Sequence, residues 1–219
     1  MNTLPAQAPA STATPAATRR FMLHGLVVAL LACLLYTPGL PGEFLFDDIP
    51  NIVNNRSIHL TELNAAAVVD VLATPQVSGP TRGLPMLSFA LDYWRAGGAD
   101  PATFKTTDPM VFKTTNIVIH ALTACALAWL FRSLLLLAGI EARRVAWLAP
   151  ALALAWAAHP LQVSSVLYVV QRLQTMGTLF LVLALIAYLQ GRQAQLQGRS
   201  GRTGLMATVL LWALALGCK

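Results

Sequence analysis

The sequence predicts an all-α polytopic membrane protein, and its composition and its apolar runs lead to that class. Hydrophobic residues make up 56% of the 219 residues and charged residues 11%, whereas a soluble domain carries about 25% charged residues. So few charges cannot cover a soluble surface. Several apolar runs also approach the length of about 20 residues that crosses a bilayer, which predicts about five transmembrane helices. Disordered chains and secreted disulfide scaffolds are excluded.

The charges are sorted along the chain, so the net charge of +6 does not indicate a nucleic-acid-binding face. Residues 41–113 hold eight of the nine acidic residues and five basic ones, a formal balance of −3. If the spans alternate, seven other basic residues share one side, which the positive-inside rule marks as cytoplasmic. They are Arg19, Arg20, Arg143, Arg144, Arg192, Arg199 and Arg202. The N-terminus is therefore predicted to be cytoplasmic and the 41–113 loop extracytoplasmic.

The first part of the chain combines a polar tail with an apolar run. Residues 1–18 are rich in Ala, Pro, Thr and Ser, which predicts a disordered tail, and residues 19–219 are predicted to form one membrane domain. The run at 21–40 is long enough to be the first span. A cleaved signal peptide is the alternative, but no A-x-A site follows the run. The further apolar runs downstream favour an anchor.

Four later apolar runs predict spans at 116–138, 145–158, 173–189 and 204–218. The second of these four is short, because 14 helical residues rise only about 21 Å. It meets Pro160, so we expect its helix either to continue with a kink or to stop where protein surrounds it.

The loop at 41–113 is long for a membrane connection, and loops of that length are usually functional or disordered. Apolar residues recur at helical spacing within 60–72 and 84–94, which predicts two amphipathic helices lying along the membrane surface. An ordinary amphipathic cap over the bundle would explain the same pattern.

Two adjacent carboxylates, Asp47 and Asp48, follow the first span closely. Adjacent carboxylates at a membrane face repel each other, and partial desolvation raises the pKa of at least one of them. A raised pKa suits a general base, and the pair also suits a metal. The alternative is structural: an aspartate cap or Asx turn beside Pro50. These two residues alone leave both readings open.

Other polar residues are predicted to gather at the same outer face. Asn116 and His120 share one helix face near the outer end of a span, His159 stands beside a proline, and Arg172 opens the next span. Each alone is more often a helix-packing hydrogen bond, but polar groups in a bilayer are functional candidates. Dedicated metal, Walker, G-x-G-x-x-G, G-x-S-x-G and H-E-x-x-H motifs do not occur in the sequence.

Four spaced segments carry a family resemblance. They are Phe46-Asp47-Asp48-x-Pro-x-Ile, Arg82-x-Leu-Pro-Met-Leu-Ser-Phe-Ala-Leu-Asp-Tyr, Asn116-x-x-x-His120 and His159-Pro160-Leu-Gln-Val-Ser-Ser-Val. In this order they resemble the multi-spanning GT-C glycosyltransferases, in the branch of the transmembrane and tetratricopeptide-repeat O-mannosyltransferases and their bacterial relatives. The resemblance covers roughly residues 40–219. It implies the N-terminal part of a GT-C fold in a bacterial inner (cell) membrane.

The resemblance implies an enzyme that moves a sugar from a polyprenyl- or dolichyl-phosphate donor to a hydroxyl acceptor, on a protein or a glycan. Transfer occurs at the extracytoplasmic face with inversion at the anomeric carbon. Asp47 or Asp48 matches the acidic residue that acts as base or orients the acceptor, and the sequence does not choose between them. The leaving phosphate needs cations or hydrogen-bond donors. The candidates by type and sidedness are Arg82, His120, His159, Arg172 and Lys219.

The sequence assigns no metal ligand, although it leaves open whether a divalent cation assists. Members of the family have roughly twice as many spans, so we expect an N-terminal fragment that lacks much of the donor pocket and is inactive alone. A non-enzymatic membrane scaffold or assembly subunit is the alternative function. A transporter or channel ranks last, because midspan stretches such as residues 124–129 and 179–187 carry no charge.

Overall fold

A computed structural model describes residues 15–74, 82–97 and 108–218, and every regular element among them is helical. The helices are α1 (Pro15–Tyr36), α2 (Ala65–Ala73), α3 (Gly83–Arg95), α4 (Pro109–Leu137), α5 (Ala142–Ala157), α6 (Gln162–Leu167), α7 (Arg172–Leu196) and α8 (Arg202–Leu216). Short helical turns connect them at Thr37–Gly39, Ile49–Val53, Arg56–Ile58 and Val169–Gln171. The predicted all-α class is confirmed.

Three stretches of the described chain are long and apolar enough to cross a membrane, namely Arg19–Gly39, Pro109–Leu137 and Val169–Leu196. This confirms the predicted membrane class. Helices α5 and α8 have 16 and 15 residues and rise only about 24 and 22 Å, less than the bilayer core of about 30 Å. The count of five spans therefore stays a prediction. Helix α5 ends at Ala157, before Pro160, and the residues that follow it at 158–161 are exposed.

Several helices extend beyond the apolar runs that predicted them. Helix α4 begins at Pro109, well before Asn116, because the Asp108 side chain accepts a hydrogen bond from the Met110 backbone N–H at 2.9 Å. Proline is also favoured in the first turn. Helix α7 continues to Leu196 through residues expected to lie in a connection. Residues 15–18 belong to α1 rather than to the predicted tail, whose residues 1–14 lie outside the described chain.

Small residues allow the bundle helices to approach one another closely, as they do in membrane bundles. Helices α1, α4 and α5 share a core that includes Ala32, Ala121, Ala124, Ala128, Ala153 and Ala157. Helices α7 and α8 cross at two glycines: a Cβ added to Gly204 would lie 2.7 Å from the Gly191 Cα atom. Close backbone contact therefore fixes the packing of these helices.

The loop at 41–113, called the outer loop here after its predicted side, contains the two predicted helices, α2 and α3, and contributes to a second core. That core includes Ile52, Ile58, Val71, Met86, Phe89, Phe112 and Val169. Because Phe112 belongs to α4 and Val169 precedes α7, the same core joins the loop to one end of the bundle. The orientation of α2 and α3 along a membrane surface stays a prediction.

Candidate active site

The segment at 168–172, at the junction of α6 and α7, contacts residues from three of the four motif segments, one of them through the ion pair of Arg172 with Asp92. The Tyr168 hydroxyl oxygen accepts a hydrogen bond from the Asp47 backbone N–H at 2.8 Å. The Val170 N–H donates to Asp48 Oδ1 at 2.7 Å. Two residues later, Arg172 Nε donates to Asn116 Oδ1, also at 2.7 Å. One short segment therefore holds the acidic pair and the polar face of α4 at the same end of the bundle.

Asp48 is buried, with 1% of its surface exposed. In addition to the bond from Val170, its Oδ2 accepts a hydrogen bond from the Leu45 N–H at 3.0 Å. Burial raises the pKa of the Asp48 carboxyl, while the backbone N–H groups and the charge of Lys113 act against that rise. Both oxygens have protein donors and face away from solvent, so Asp48 ties the outer loop to the start of α7.

Asp47 has the opposite arrangement, because its backbone is held and its side chain is exposed. Its carbonyl oxygen accepts a hydrogen bond from Asn51 Nδ2 at 2.8 Å, in addition to the N–H bond to Tyr168. The preceding residue, Phe46, is 83% exposed and adopts a left-handed φ of +42°. Fixing the backbone on both sides of an exposed carboxylate limits the positions that its oxygens reach, as a positioned base requires.

Tyr168 also borders the acidic pair through its ring and its hydroxyl. Its ring meets that of Phe46 edge to face, with the centroids 6.5 Å apart. Burial and the negative charges of Asp47 and Asp48 raise the pKa of the phenol. The hydroxyl therefore keeps its proton at neutral pH and can donate a hydrogen bond beside Asp47.

Arg172 is fully buried inside a polar cluster. Its guanidinium forms an ion pair with Asp92 at 2.6 Å and donates hydrogen bonds to Ser88 Oγ at 3.1 Å and to the Phe112 carbonyl at 2.8 Å. The guanidinium carbon also lies 4.4 Å from the centre of the Phe89 ring. The charge is compensated within the protein, so Arg172 is not presented to a phosphate in this structure.

Asp92 and Lys113 were not predicted as site residues, but the structure places both close to the site. Asp92 lies on the apolar face of α3 with Phe89 and Tyr93, all three buried. An acid on an apolar helix face indicates a buried partner, and that signal was present in the sequence. Lys113 is also buried, and its Nζ donates to the Gly39 carbonyl at 3.2 Å. It therefore helps to position the loop that leads to Asp47.

His120 is buried inside the bundle, with 1% of its surface exposed. Its Nε2 lies 3.0 Å from the Ala157 carbonyl oxygen, and its ring stacks on Trp156 with the centroids 4.9 Å apart. The Tyr36 ring meets it edge to face at 5.1 Å. His120 also borders a cavity of about 190 Å³ between the helices. These neighbours are neutral, and His120 makes no contact with Arg172 among the described contacts.

The remaining predicted site residues are distributed around this end of the bundle. His159 is exposed just beyond α5, and its Nδ1 accepts a hydrogen bond from the Leu161 N–H at 3.3 Å. Arg82 is half-buried immediately before α3, and Lys219 lies outside the described residues.

No three His, Cys, Asp or Glu side chains converge as a metal cluster within 15–74, 82–97 and 108–218. Each Asp48 carboxylate oxygen accepts a hydrogen bond from a backbone N–H group.

Replacing Asp48 with Asn is expected to destabilise the fold by about 1–3 kcal/mol, because the new amide would turn one NH₂ group toward a backbone donor. The pH dependence should change as well. Because the pKa of Asp48 is raised, the folded state binds more protons than the unfolded state. The contribution of Asp48 to the free energy of unfolding is therefore greatest below its pKa in the unfolded chain, about 3.9. It declines as the pH rises through the pKa in the folded protein. Thermal unfolding from pH 3.5 upward should show a shallower decline for D48N than for the wild type. An unchanged slope would contradict this assignment.

Two curated proteins are similar to the chain along most of its length. It is 28% identical over 211 residues to the protein O-mannosyl-transferase TMTC4 of Homo sapiens, which covers 89% of this chain and 27% of that protein. The protein of the same name from Mus musculus is 27% identical over 212 residues, with the same coverage of each chain. The chain thus spans about a quarter of the length of these relatives. No family model and no solved structure matches it.

Proposed function

We propose that this chain supplies the outer-loop part of an integral-membrane glycosyltransferase that moves a sugar from a polyprenyl-phosphate donor to a hydroxyl group at the extracytoplasmic face. The similarity to proteins named O-mannosyl-transferases supports the class of reaction and makes mannose the first sugar to test. The positive-inside pattern supports the face. The acceptor that fits the relatives' name is a serine or threonine hydroxyl of a protein.

The observation that carries the proposal is the difference in exposure and hydrogen bonding between the two adjacent carboxylates. Asp48 is buried and bound to two backbone N–H groups, whereas Asp47 is exposed on a backbone held by Tyr168 and Asn51. A base must reach the proton that it removes, so the choice that the sequence left open falls on Asp47. Asp48 is the positioning residue that fixes the loop.

In the proposed reaction, Asp47 takes the proton from the acceptor hydroxyl as its oxygen attacks the anomeric carbon. The bond between that carbon and the phosphate oxygen breaks, and the lipid phosphate leaves with the electron pair. Attack from the side opposite the phosphate inverts the anomeric centre. General-base assistance of this kind contributes about 10²- to 10⁴-fold to a rate.

The departing phosphate needs positive charge or hydrogen-bond donors. Arg82, which is half-buried, and His159, which is exposed, are the candidates that a ligand can approach, and Lys219 keeps its expected role. Arg172 is better suited to positioning, since its donors already serve Asn116, Ser88, Asp92 and Phe112.

The donor class is tested directly with membranes that contain the full-length gene product. Labelled polyprenyl-phosphate mannose should give labelled protein, and labelled GDP-mannose should not once the endogenous synthesis of the lipid-linked sugar is blocked. Sealed right-side-out vesicles should accept a membrane-impermeant peptide acceptor, whereas inverted vesicles should not. Transfer from the nucleotide sugar under the block would overturn the proposed donor. Transfer only in inverted vesicles would overturn the proposed face.

A further inference from the structure

A cavity of about 190 Å³ lies between α4, α5, α6 and α7, near the end of the bundle that carries the outer loop. The described residues that line it include no Lys, Arg, Asp or Glu. Hydroxyl groups come from Thr123, Ser165, Thr175 and Thr178, amides from Gln162 and Gln174, and rings from His120 and Trp156. A polar but uncharged cavity is unsuited to a phosphate, which needs cations or clustered donors.

Three of these side chains have unused hydrogen-bonding capacity. Within the described part of the chain, Gln162, Ser165 and Gln174 make no side-chain hydrogen bond. Each glutamine amide offers two donors and a carbonyl acceptor, and the serine hydroxyl adds one donor. Gln174 is exposed and Gln162 and Ser165 are half-buried. All three side chains can therefore hydrogen-bond to a ligand that enters the cavity.

The other lining groups add acceptors to these donors. The hydroxyls of Thr123 and Thr178 donate to carbonyls of their own helices at 2.8 Å, so their lone pairs remain available. The His120 Nε2 faces a carbonyl oxygen, which only accepts, so Nε2 carries the proton and Nδ1 of the neutral ring is an acceptor. The cavity thus combines donors, acceptors and the aromatic body of Trp156.

We infer that this cavity binds an uncharged, hydroxyl-rich group of single-ring size, and that this group is the sugar of the lipid-linked donor. The neutral character of the ligand follows from the lining alone, while its assignment as the donor sugar rests on the proposed transferase function. The volume is below the roughly 300–1,000 Å³ of sites for drug-sized ligands, so it suits one ring. Hydroxyl groups donate and accept, which matches mixed amide and threonine partners. His120 thereby contacts the sugar rather than the phosphate.

The cavity can be mapped with an octyl mannoside that carries a diazirine on its alkyl chain, added to the full-length protein in lipid nanodiscs. After photolysis, mass spectrometry should find the label concentrated in peptides from 156–178, and excess octyl mannoside should remove it. Excess octyl phosphate or octanol should not. Q162L/Q174L should lower this labelling about tenfold, as the loss of two hydrogen-bonding side chains predicts. T178V, a nearly isosteric change, should lower it less.

Q190L is the matched control, because Gln190 is an exposed glutamine on the same helix and away from the cavity. It should label like the wild type. Unchanged labelling in Q162L/Q174L, or equal competition by octyl phosphate, would overturn the neutral-sugar site. The transfer assay separates the two proposals. Localised labelling without transfer from the lipid-linked donor would sustain the cavity and reject the transferase, whereas transfer unaffected by Q162L/Q174L would reject the cavity as the donor-sugar site.

Discussion

Replacing Asp47 with Asn should lower sugar transfer by the full protein by about 10²- to 10⁴-fold, the contribution expected of a general base. Asparagine keeps the shape of the side chain but cannot take the acceptor proton. The Asp47 side chain is exposed and its backbone makes the hydrogen bonds to Tyr168 and Asn51. The substitution should therefore leave insertion and thermal stability nearly unchanged while removing activity.

Three further variants separate loss of the base from loss of any loop carboxylate and from loss of stability. Glu43→Gln neutralises another exposed carboxylate of the same loop and should transfer sugar like the wild type. Asp47→Glu keeps the carboxylate but moves it by one methylene, so it should retain part of the activity. D48N should lose activity mainly through instability, and cooling the assay should restore part of it.

Initial rates are best measured at saturating lipid-linked donor, with the amount of inserted protein determined in the same membranes. A D47N rate within about a factor of two of the wild type would exclude general-base catalysis by this residue, because such catalysis contributes at least about 10²-fold. The scaffold alternative would then gain support, since it requires the loop fold but not the exposed carboxylate. If D48N and D47N reduced the rate equally and without loss of stability, the choice between the two carboxylates would reopen.

Sequence periodicity predicted the helical membrane class well because apolar runs report directly on burial in lipid or protein. It predicted helix limits less well, as α4 shows. There a capping aspartate and a proline extend the helix beyond its apolar run, and hydropathy does not measure capping. The apolar run at 145–158 likewise predicted a short helix, but it could not decide whether that helix ends or continues with a kink at Pro160.

The candidate site was also predictable only in part. Adjacent carboxylates and intramembrane polar residues predicted a polar cluster at one end of the bundle, since polar groups there demand partners. The structure places Asp48, Asn116 and Arg172 close together at that end. The type of residue could not distinguish a buried arginine that is paired within the protein, such as Arg172, from a cation that a ligand can approach. That distinction depends on Asp92 and Asn116, which lie 80 and 56 positions away in the sequence. The cavity depends similarly on four helices and has no local motif.

Arg172 and Asp92 form a buried ion pair that joins α7 to the outer loop. Asp92 Oδ1 also accepts hydrogen bonds from Thr115 at 2.7 Å and from Arg95 at 3.1 Å. Breaking a buried pair by removing one partner leaves an uncompensated charge and costs about 3–5 kcal/mol. Arg95 is partly exposed and offsets some of that charge, so the loss of Arg172 should fall toward the lower end of this range.

Arg172→Met should therefore destabilise the protein by about 3 kcal/mol, measured by unfolding in detergent micelles. D92N should cost less, because Arg172 keeps its bonds to Asn116, Ser88 and Phe112. The double variant should cost less than the sum of the two single ones by about 0.5–3 kcal/mol, as expected for residues in direct contact. Arg192→Met removes an exposed arginine from the same helix and should change stability by no more than about 0.5 kcal/mol.

A positioning role also predicts how activity responds. Tyr168 and Val170, which immediately precede α7, hydrogen-bond to Asp47 and Asp48. R172M should therefore disturb the acceptor side of the site as well as the fold. At a temperature where R172M remains folded, the apparent KM for the acceptor should rise while the affinity for polyprenyl phosphate stays unchanged. If Arg172 bound the phosphate, the affinity for the lipid phosphate would fall instead, and stability would drop no further than in R192M. Those two results together would overturn the structural role that burial and the Asp92 pair assign to this arginine.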